Sequence, residues 1–331
     1  MNSGKSSMSF KAVILAGGSG ERFWPLSTPE RPKQFLRVFG GASLIRQAVS
    51  RLDGLVSSKD VFVVTAKNLV AATRRELPEI PKCNILGEPM RRDTGAAVAL
   101  GVGLAASDAD PVIGFFSSDQ MVSNPKAFRK VVSKAVAIAR RKQVIVTLGI
   151  KPTYPATCFG YISPKTRTFV EKPDAKTAKK YVKAGYLWNA GMFIARASTF
   201  RGAFAAHAPE LSCLTSSTNH LAALYSKLPK ISFDYAVMEK AKNVEVVPGD
   251  FGWDDVGSFA AFDRYFPHDA RGNVREGPCN VVEAEGNICV ARSARISLLG
   301  VKNLVVVTTP DAVLVADKSR LTDMKKLFSR K

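Results

Sequence analysis

Residues 11–22 read KAVILAGGSGER, an apolar run that stops at a cluster of glycines and then turns charged. A short apolar run bounded by glycine is the pattern of a buried β-strand. The glycines that follow open a loop whose backbone amides are left exposed. A Walker-type phosphate loop is excluded, because Gly20 is followed by Glu21 and Arg22 rather than by Lys and Ser or Thr. The dinucleotide fingerprint is excluded as well, because Phe23 stands where its third glycine belongs. SGKSS at 3–7 ends like a phosphate loop, but no strand precedes it. What remains is a strand followed by an amide nest for an anion, with Arg22 and Lys33 adding fixed charge and Pro25 and Pro32 lying between them. A plain turn is the simpler reading of glycines alone; the arginine, the lysine and the prolines argue against it.

Outward from that strand the first half of the chain alternates. SLIRQAVSRL (43–52) places Leu44, Ile45, Ala48, Val49 and Leu52 on one helical face, VFVVTA (61–66) is a second strand, and GAAVALGVGLAAS (95–107) is helix-like. VIGFFSSD (112–119) is a strand that runs to an acidic residue. Phe128, Val131, Val132, Ala135, Val136 and Ala139 recur at the helical period, and QVIVTLGI (143–150) returns to strand. This alternation predicts an α/β fold built on a Rossmann-like, open, mostly parallel sheet, with ligands beyond the carboxyl ends of the strands. After about residue 270 the pattern becomes short β-runs separated by turn residues, with no helix until LTDMKKLF. The expected organisation is therefore a disordered tail at 1–10, a main domain at 11–268 and a small β-helix-like domain at 269–331. That last segment is short for a core of its own and is expected to pack on the main domain or on a second subunit.

Composition narrows the function classes. The chain has 331 residues and is 46% hydrophobic, which is enough for a sizeable core. No apolar run has the length of a membrane span, and no secretory leader is legible, so a cytoplasmic protein is expected. Five scattered cysteines without a C-x-x-C pair fit free thiols; Cys279 and Cys289 could be half of a metal site but lack nearby partners. The formal charge of +20 attracts polyanions. Its basic residues are dispersed in pairs without interleaved aromatics, so nucleic acid is not the expected partner.

LAGGSGERFWPLS followed by PKQF resembles the pyrophosphorylase loop of the mannose-1-phosphate guanylyltransferases. EPMRRDTGAA (88–97), FFSSDQ (115–120), FGYI (159–162), FVEKPD (169–174), WNAGMFIA (188–195), FDYAVMEK (233–240) and GWDDVGSF (252–259) follow in the family's order. Phe23-Trp24 and Gln34 favour the guanylyl branch. The resemblance implies a nucleotidyltransferase that moves GMP from GTP to mannose 1-phosphate, releasing pyrophosphate and making GDP-mannose. No protein nucleophile is required; positioning and charge neutralisation carry such a reaction.

The resemblance also implies roles. Ala16, Gly17, Gly18, Ser19, Gly20, Glu21 and Arg22, with Arg92, Thr94 and Ser118, are expected at the nucleotide. Arg22, Lys33 and Lys172 are the expected catalytic cations, and Gly160, Glu171, Lys172 and Asn189 are expected at the sugar phosphate. Asp119 and Asp255 are the expected ligands of Mg2+, with Asp254 set aside because the family carboxylate directly precedes the hydrophobic-Gly pair. Gln120, TGAA at 94–97 and Cys158-Phe159 depart from the common family pattern. A homodimer is expected, and no isomerase activity is expected of a chain read to Lys331. Two other readings stay open: a relative with another sugar or base, and a non-catalytic sugar-nucleotide sensor. The complete set of Arg22, Lys33, Asp119, Lys172 and Asp255 favours an enzyme over the sensor.

Overall fold

The computed structural model describes residues 8–18, 20–106, 110–216 and 220–328. Ser19 and residues 1–7 of the expected tail lie outside the described residues. Phe10, expected in that tail, is instead the first residue of a strand, because its register continues the pairing of Lys11 and Ala12.

Contacts divide the chain into two compact units: Met1–Gly17 with Arg46–Ser118 and Val122–Trp253, and Gly18–Ile45 with Asp119–Met121 and Asp254–Lys331. The first unit holds a central sheet of β1 (Phe10–Ala16), β2 (Val61–Ala66), β3 (Ile85–Glu88), β4 (Val112–Ser117), β5 (Ile145–Ile150), β6 (Leu187–Arg196) and β7 (Val244–Gly249). Their order is β7-β5-β6-β4-β1-β2-β3. All neighbours are parallel except β6, which runs antiparallel to both β4 and β5. The expected mostly parallel α/β sheet is the observed one.

Both faces of this sheet are covered, so its strands are apolar without alternation. Phe115 and Phe116 of β4 point to opposite sides: Phe115 meets Phe200 edge-on at 5.1 Å, and Phe116 meets Phe128 at 6.0 Å. One face is filled by α1 (Asp93–Ala105), the other by α2 (Pro125–Arg141). α2 starts where Asn124 accepts from the Ala127 N–H at 3.0 Å ahead of Pro125, a capped start with proline in the first turn. Its buried face is Phe128, Val132, Ala135, Val136 and Ala139; Val131 is only partly covered.

The second unit carries β8 (Val274–Glu276), β9 (Cys279–Val282), β10 (Ile288–Ala291), β11 (Ile296–Leu299), β12 (Leu304–Thr308) and β13 (Val313–Asp317). β8, β10 and β12 stack in parallel, as do β9 and β11, and β13 closes the stack antiparallel to β12. Successive coils are stitched at one corner by asparagines. The Asn287 side-chain amide donates to Asn273 Oδ1 at 2.9 Å, and Asn287 Oδ1 accepts from the Leu304 N–H at 2.9 Å. Coils of three to five residues cannot bury a core alone. They share one with the glycine-loop segment: Phe23, Leu36 and Phe39 are buried with Phe259, Val290 and Met324. The sequence boundary expected at 268/269 thus falls inside this unit, which also takes in residues 18–45.

Candidate functional site

The glycine loop crosses from one unit to the other between Gly17 and Gly18. In the second unit it turns at Gly20, whose φ of +67° is left-handed. A Cβ there would come within 2.5 Å of the Lys33 backbone nitrogen and 2.6 Å of Lys33 Cβ, so glycine is the residue that lets the two arms of the loop touch. The Ser27 hydroxyl donates to the Gly20 carbonyl at 2.6 Å, and Glu21–Phe23 form a single tight turn that buries Phe23 and leaves Arg22 exposed.

Lys33 is 6% exposed, a buried cation that must be paired. Its ammonium donates to Asp119 Oδ2 at 3.0 Å and to the Asp255 carbonyl at 2.9 Å, and lies 5.9 Å from the Phe23 ring centroid. Asp119 stands two residues past the end of β4, where the strand run predicted an acidic end. Asp255 is pushed up from the usual carboxylate range by loss of solvent and by the Asp119 charge, while Lys33 and Arg22 pull it back. Its neighbour Asp254 is bound twice by Arg264, at 2.7 and 2.9 Å, and accepts from the Val256 N–H at 2.8 Å. Val256, fully buried, has a φ of +48°, an uncommon and strained conformation for a β-branched residue, beside Asp255. Arg22, Lys33, Asp119 and Asp255 line one cleft of ≈190 Å³. Gly257 keeps it open, since a Cβ there would sit 3.2 Å from Asp255 Oδ2 and 3.7 Å from Arg22.

The first unit carries the remaining residues in two places. Ala16 and Ser118 are buried at the ends of β1 and β4, where the Ala16 carbonyl accepts from the Thr65 hydroxyl and the Ser118 N–H donates to the Leu15 carbonyl. Gly17 lines a cavity of ≈570 Å³ with Lys67, Glu88 and Arg91. Glu88 is 7% exposed, and burial pushes its carboxyl up to about 7 against the Tyr225 hydroxyl, which donates to it at 3.1 Å. Arg92 and Thr94 do not line this cavity. Arg92 donates to the Tyr225 and Ser226 carbonyls at 2.7 and 2.9 Å, and the Thr94 hydroxyl accepts from the Phe233 N–H at 2.9 Å. Arg92 thereby holds the segment that presents Tyr225 to Glu88. Glu88 stood within the EPMRRDTGAA block, but nothing in its spacing marked it as buried.

The second place gathers Gly160, Glu171, Lys172 and Asn189. Glu171 pairs with Lys172 at 2.9 Å, and Lys172 has a φ of +45°. A Cβ on Gly160 would lie 2.5 Å from Glu171 Oε2, so this glycine makes room for the carboxylate. Asn189 is buried. Its Oδ1 accepts from the Thr147 hydroxyl at 2.7 Å, and its amide donates to Asp234 Oδ1 at 2.9 Å. Asp234 opens a π-helical turn, Asp234–Met238, of the kind found at functional sites. Burial first, and the Glu171 charge second, raise its carboxyl to about 7. Asp234 and Glu239, which accepts from the Glu171 N–H at 2.8 Å, were not singled out in the sequence; the FDYAVMEK block that contains both was the available signal.

No group of three or more His, Cys, Asp or Glu that could hold a metal occurs among the described residues. No helix among them is long and apolar enough to cross a membrane.

Comparison with known proteins identifies the family. The nucleotidyl transferase family matches residues 11–271, and the MannoseP isomerase/GMP-like beta-helix domain matches residues 279–330. The mannose-1-phosphate guanylyltransferase RfbM of Salmonella typhimurium is 36% identical over 97% of this chain and 72% of its own length. The mannose-1-phosphate guanylyltransferase of Escherichia coli K12 is 35% identical over 96% of this chain and 72% of its own length. A crystal structure from Thermus thermophilus, described as a mannose-1-phosphate geranyltransferase, superposes with a TM-score of 0.90 at 35% identity, covering 98% of this chain and 99% of that one. By its fold, its loop and these relatives, the chain belongs to the nucleotidyl transferase family and, within it, to the mannose-1-phosphate guanylyltransferases.

Proposed function

We propose that the protein transfers GMP from GTP to α-D-mannose 1-phosphate, forming GDP-mannose and pyrophosphate. A phosphate oxygen of the sugar attacks the α-phosphorus, and the bond from that phosphorus to the oxygen of the leaving β-phosphate breaks. The observation that carries this reading is the Lys33 ammonium held between the Asp119 carboxylate and the Asp255 carbonyl, in one cleft with Arg22. Such a set stabilises charge on phosphate oxygens without a covalent step.

Each group has a task in this reading. The amides of the glycine loop and Arg22 take the leaving phosphates, where a guanidinium can bind two oxygens at once. Lys33 fixes Asp119 and faces the α-phosphate. Glu88, an acceptor-only group when ionised, suits the N1–H and amino donors of guanine and leaves adenine's ring nitrogen without a donor. Glu171, Asn189 and Asp234 form a polar network for sugar hydroxyls, and Lys172 serves the sugar phosphate.

The donor set in the cleft also suits a divalent metal, which enzymes of this family use. Asp119 and Asp255 offer two hard carboxylates beside each other, the number Mg2+ takes when phosphate and water oxygens complete its shell. When bound there, Mg2+ would neutralise phosphate charge. The protein is proposed to act in the cytoplasm as a homodimer. Val282, Leu299, Val313 and Val315, all more than half exposed on the β-coils, support a second copy as cover.

Pyrophosphate release measured with each nucleoside triphosphate against several hexose 1-phosphates tests the proposal. Release with GTP and mannose 1-phosphate well above other pairs is expected. A stronger response to another pair moves the protein to a sister specificity, and no release with any pair leaves the sensor reading.

A further inference from the structure

The cleft around Lys33 has a further charged wall that neither the loop nor the motif blocks supply. Residues Lys318–Leu327 form a 3-10 helix that starts where Asp317 accepts from the Ser319 N–H at 2.7 Å. Leu321 and Met324, each 3% exposed, anchor it in the core that also holds Phe23 and Phe259. One turn on, the Phe328 ring meets Trp24 edge-on at 5.8 Å. Between these anchors lies Lys325, which lines the same ≈190 Å³ cleft as Arg22, Lys33, Asp119 and Asp255. Its neighbour Lys326 pairs with Asp323 at 3.2 Å and does not line the cleft.

We propose that Lys325, delivered by the C-terminal 3-10 helix, is a binding residue for the triphosphate substrate and for the pyrophosphate product, a role that rests on the reaction proposed above. Charge in the cleft supports it. Glu21, Asp119 and Asp255 are its acidic walls and Arg22, Lys33 and Lys325 its basic ones. Without Lys325 two cations face three carboxylates, and an incoming triphosphate meets a net negative wall. With it the protein groups balance. Lys33 is tied to Asp119, and Arg22 and Lys325 supply the other two basic groups of the cleft, on the side proposed for the leaving phosphates. A flexible ammonium fits that duty, because it follows pyrophosphate as it departs while the guanidinium holds the geometry.

The test compares Lys325→Ala, Lys325→Arg and Lys326→Ala in the full chain. Lys325→Ala should raise KM for GTP, and KM for pyrophosphate in the reverse reaction with GDP-mannose, about tenfold, as loss of one charged hydrogen bond does. KM for mannose 1-phosphate should stay within about twofold, Lys325→Arg should restore most of the loss, and Lys326→Ala should match the wild type. Thermal unfolding should be unchanged, which separates a binding role from a packing role; if Lys325→Ala unfolds early, Lys325→Met keeps the stem and repeats the test. Calorimetry with pyrophosphate alone gives a readout independent of turnover. If the wild type turns over no substrate pair, the reaction proposed above fails, while a lost pyrophosphate affinity in Lys325→Ala still supports the binding site. Unchanged pyrophosphate affinity and unchanged KM for GTP in a folded Lys325→Ala protein would overturn the proposal.

Discussion

Lys33 and Asp119 are joined at 3.0 Å across 86 positions of sequence, and the same ammonium reaches the carbonyl of Asp255. One side chain thus ties the glycine-loop segment to both acidic segments of its unit. Lys33→Met should lower kcat by two orders of magnitude or more, the scale of a lost electrostatic contact in the transition state. It should also destabilise the fold by about 1–3 kcal/mol, because Asp119 loses this ion pair. Steady-state kinetics and urea unfolding read the two effects separately. Wild-type kcat in a folded Lys33→Met protein would remove Lys33 from the machinery.

Gly20 allows the loop to fold back on Lys33. Gly20→Ala must either clash with the Lys33 backbone or flatten the turn. The left-handed backbone alone costs roughly 1–2 kcal/mol, and the clash adds to it. A lower unfolding midpoint with a raised KM for GTP is expected. Gly18→Ala, where a Cβ meets nothing within 4 Å, serves as the contrast.

Asp254 and Asp255 are adjacent but bound to different ends. Asp254→Asn should weaken the grip of Arg264 and cost about 1 kcal/mol of stability with kcat largely kept. Asp255→Asn removes a desolvated carboxylate beside Asp119, so stability should hold or rise while kcat falls by orders of magnitude and added Mg2+ fails to restore it. The reverse pattern would exchange their roles.

The Glu88 carboxyl is raised from 4.5 to about 7 chiefly by burial. The folded protein keeps this proton where the unfolded chain has lost it. Its contribution to stability is fully present below about pH 4.5 and is gone once pH passes about 7. Glu88→Gln cannot ionise, so the fall in stability between pH 5 and pH 8 should shrink by up to about 3 kcal/mol. With the guanine role proposed for Glu88, GTP binding should have the opposite slope, because guanine would need the ionised acceptor. Wild-type KM for GTP should fall as pH rises through about 7, and Glu88→Gln should flatten that profile.

Asp234 is the acceptor that orients the Asn189 amide. Asp234→Ala leaves that buried amide unpaired, at about 1–3 kcal/mol. The kinetic loss should fall on mannose 1-phosphate, with KM for GTP within about twofold. An equal loss for both substrates would make the effect structural.

The strand-to-glycine junction and the apolar periods of β2, β4 and α2 carried the sheet, because a sheet covered on both faces leaves few local ambiguities. β3 was missed: ILGE is too short to declare a period. β6 was legible as a motif but not as the antiparallel strand inserted between β4 and β5, because pairing partners leave no mark on a single strand. Arg22 and Lys33 were readable as charge on the glycine segment and Asp119 as an acid at a strand end, whereas Asp255 was reached only through the family resemblance of GWDDVGSF. Glu88 and Asp234 were not, since what sets them apart is burial and a distant partner, Tyr225 for one and Asn189 for the other. Arg92 and Thr94 show the converse: polar residues inside a motif that are spent on backbone carbonyls and an amide.

The shared core of Phe23, Leu36 and Phe39 with the β-coils has a consequence for synthesis of the chain. Translation at roughly 5–20 residues per second delivers Gly18–Ile45 long before residues 254–328 that complete its unit. The phosphate loop must wait, solvent-exposed and rich in aromatics, while the strands of the α/β sheet emerge and pair. It takes its shape only when the last coils arrive. A nascent enzyme of this design is chemically silent until its coils close, and its loop is the stretch that a chaperone or a protease would meet first.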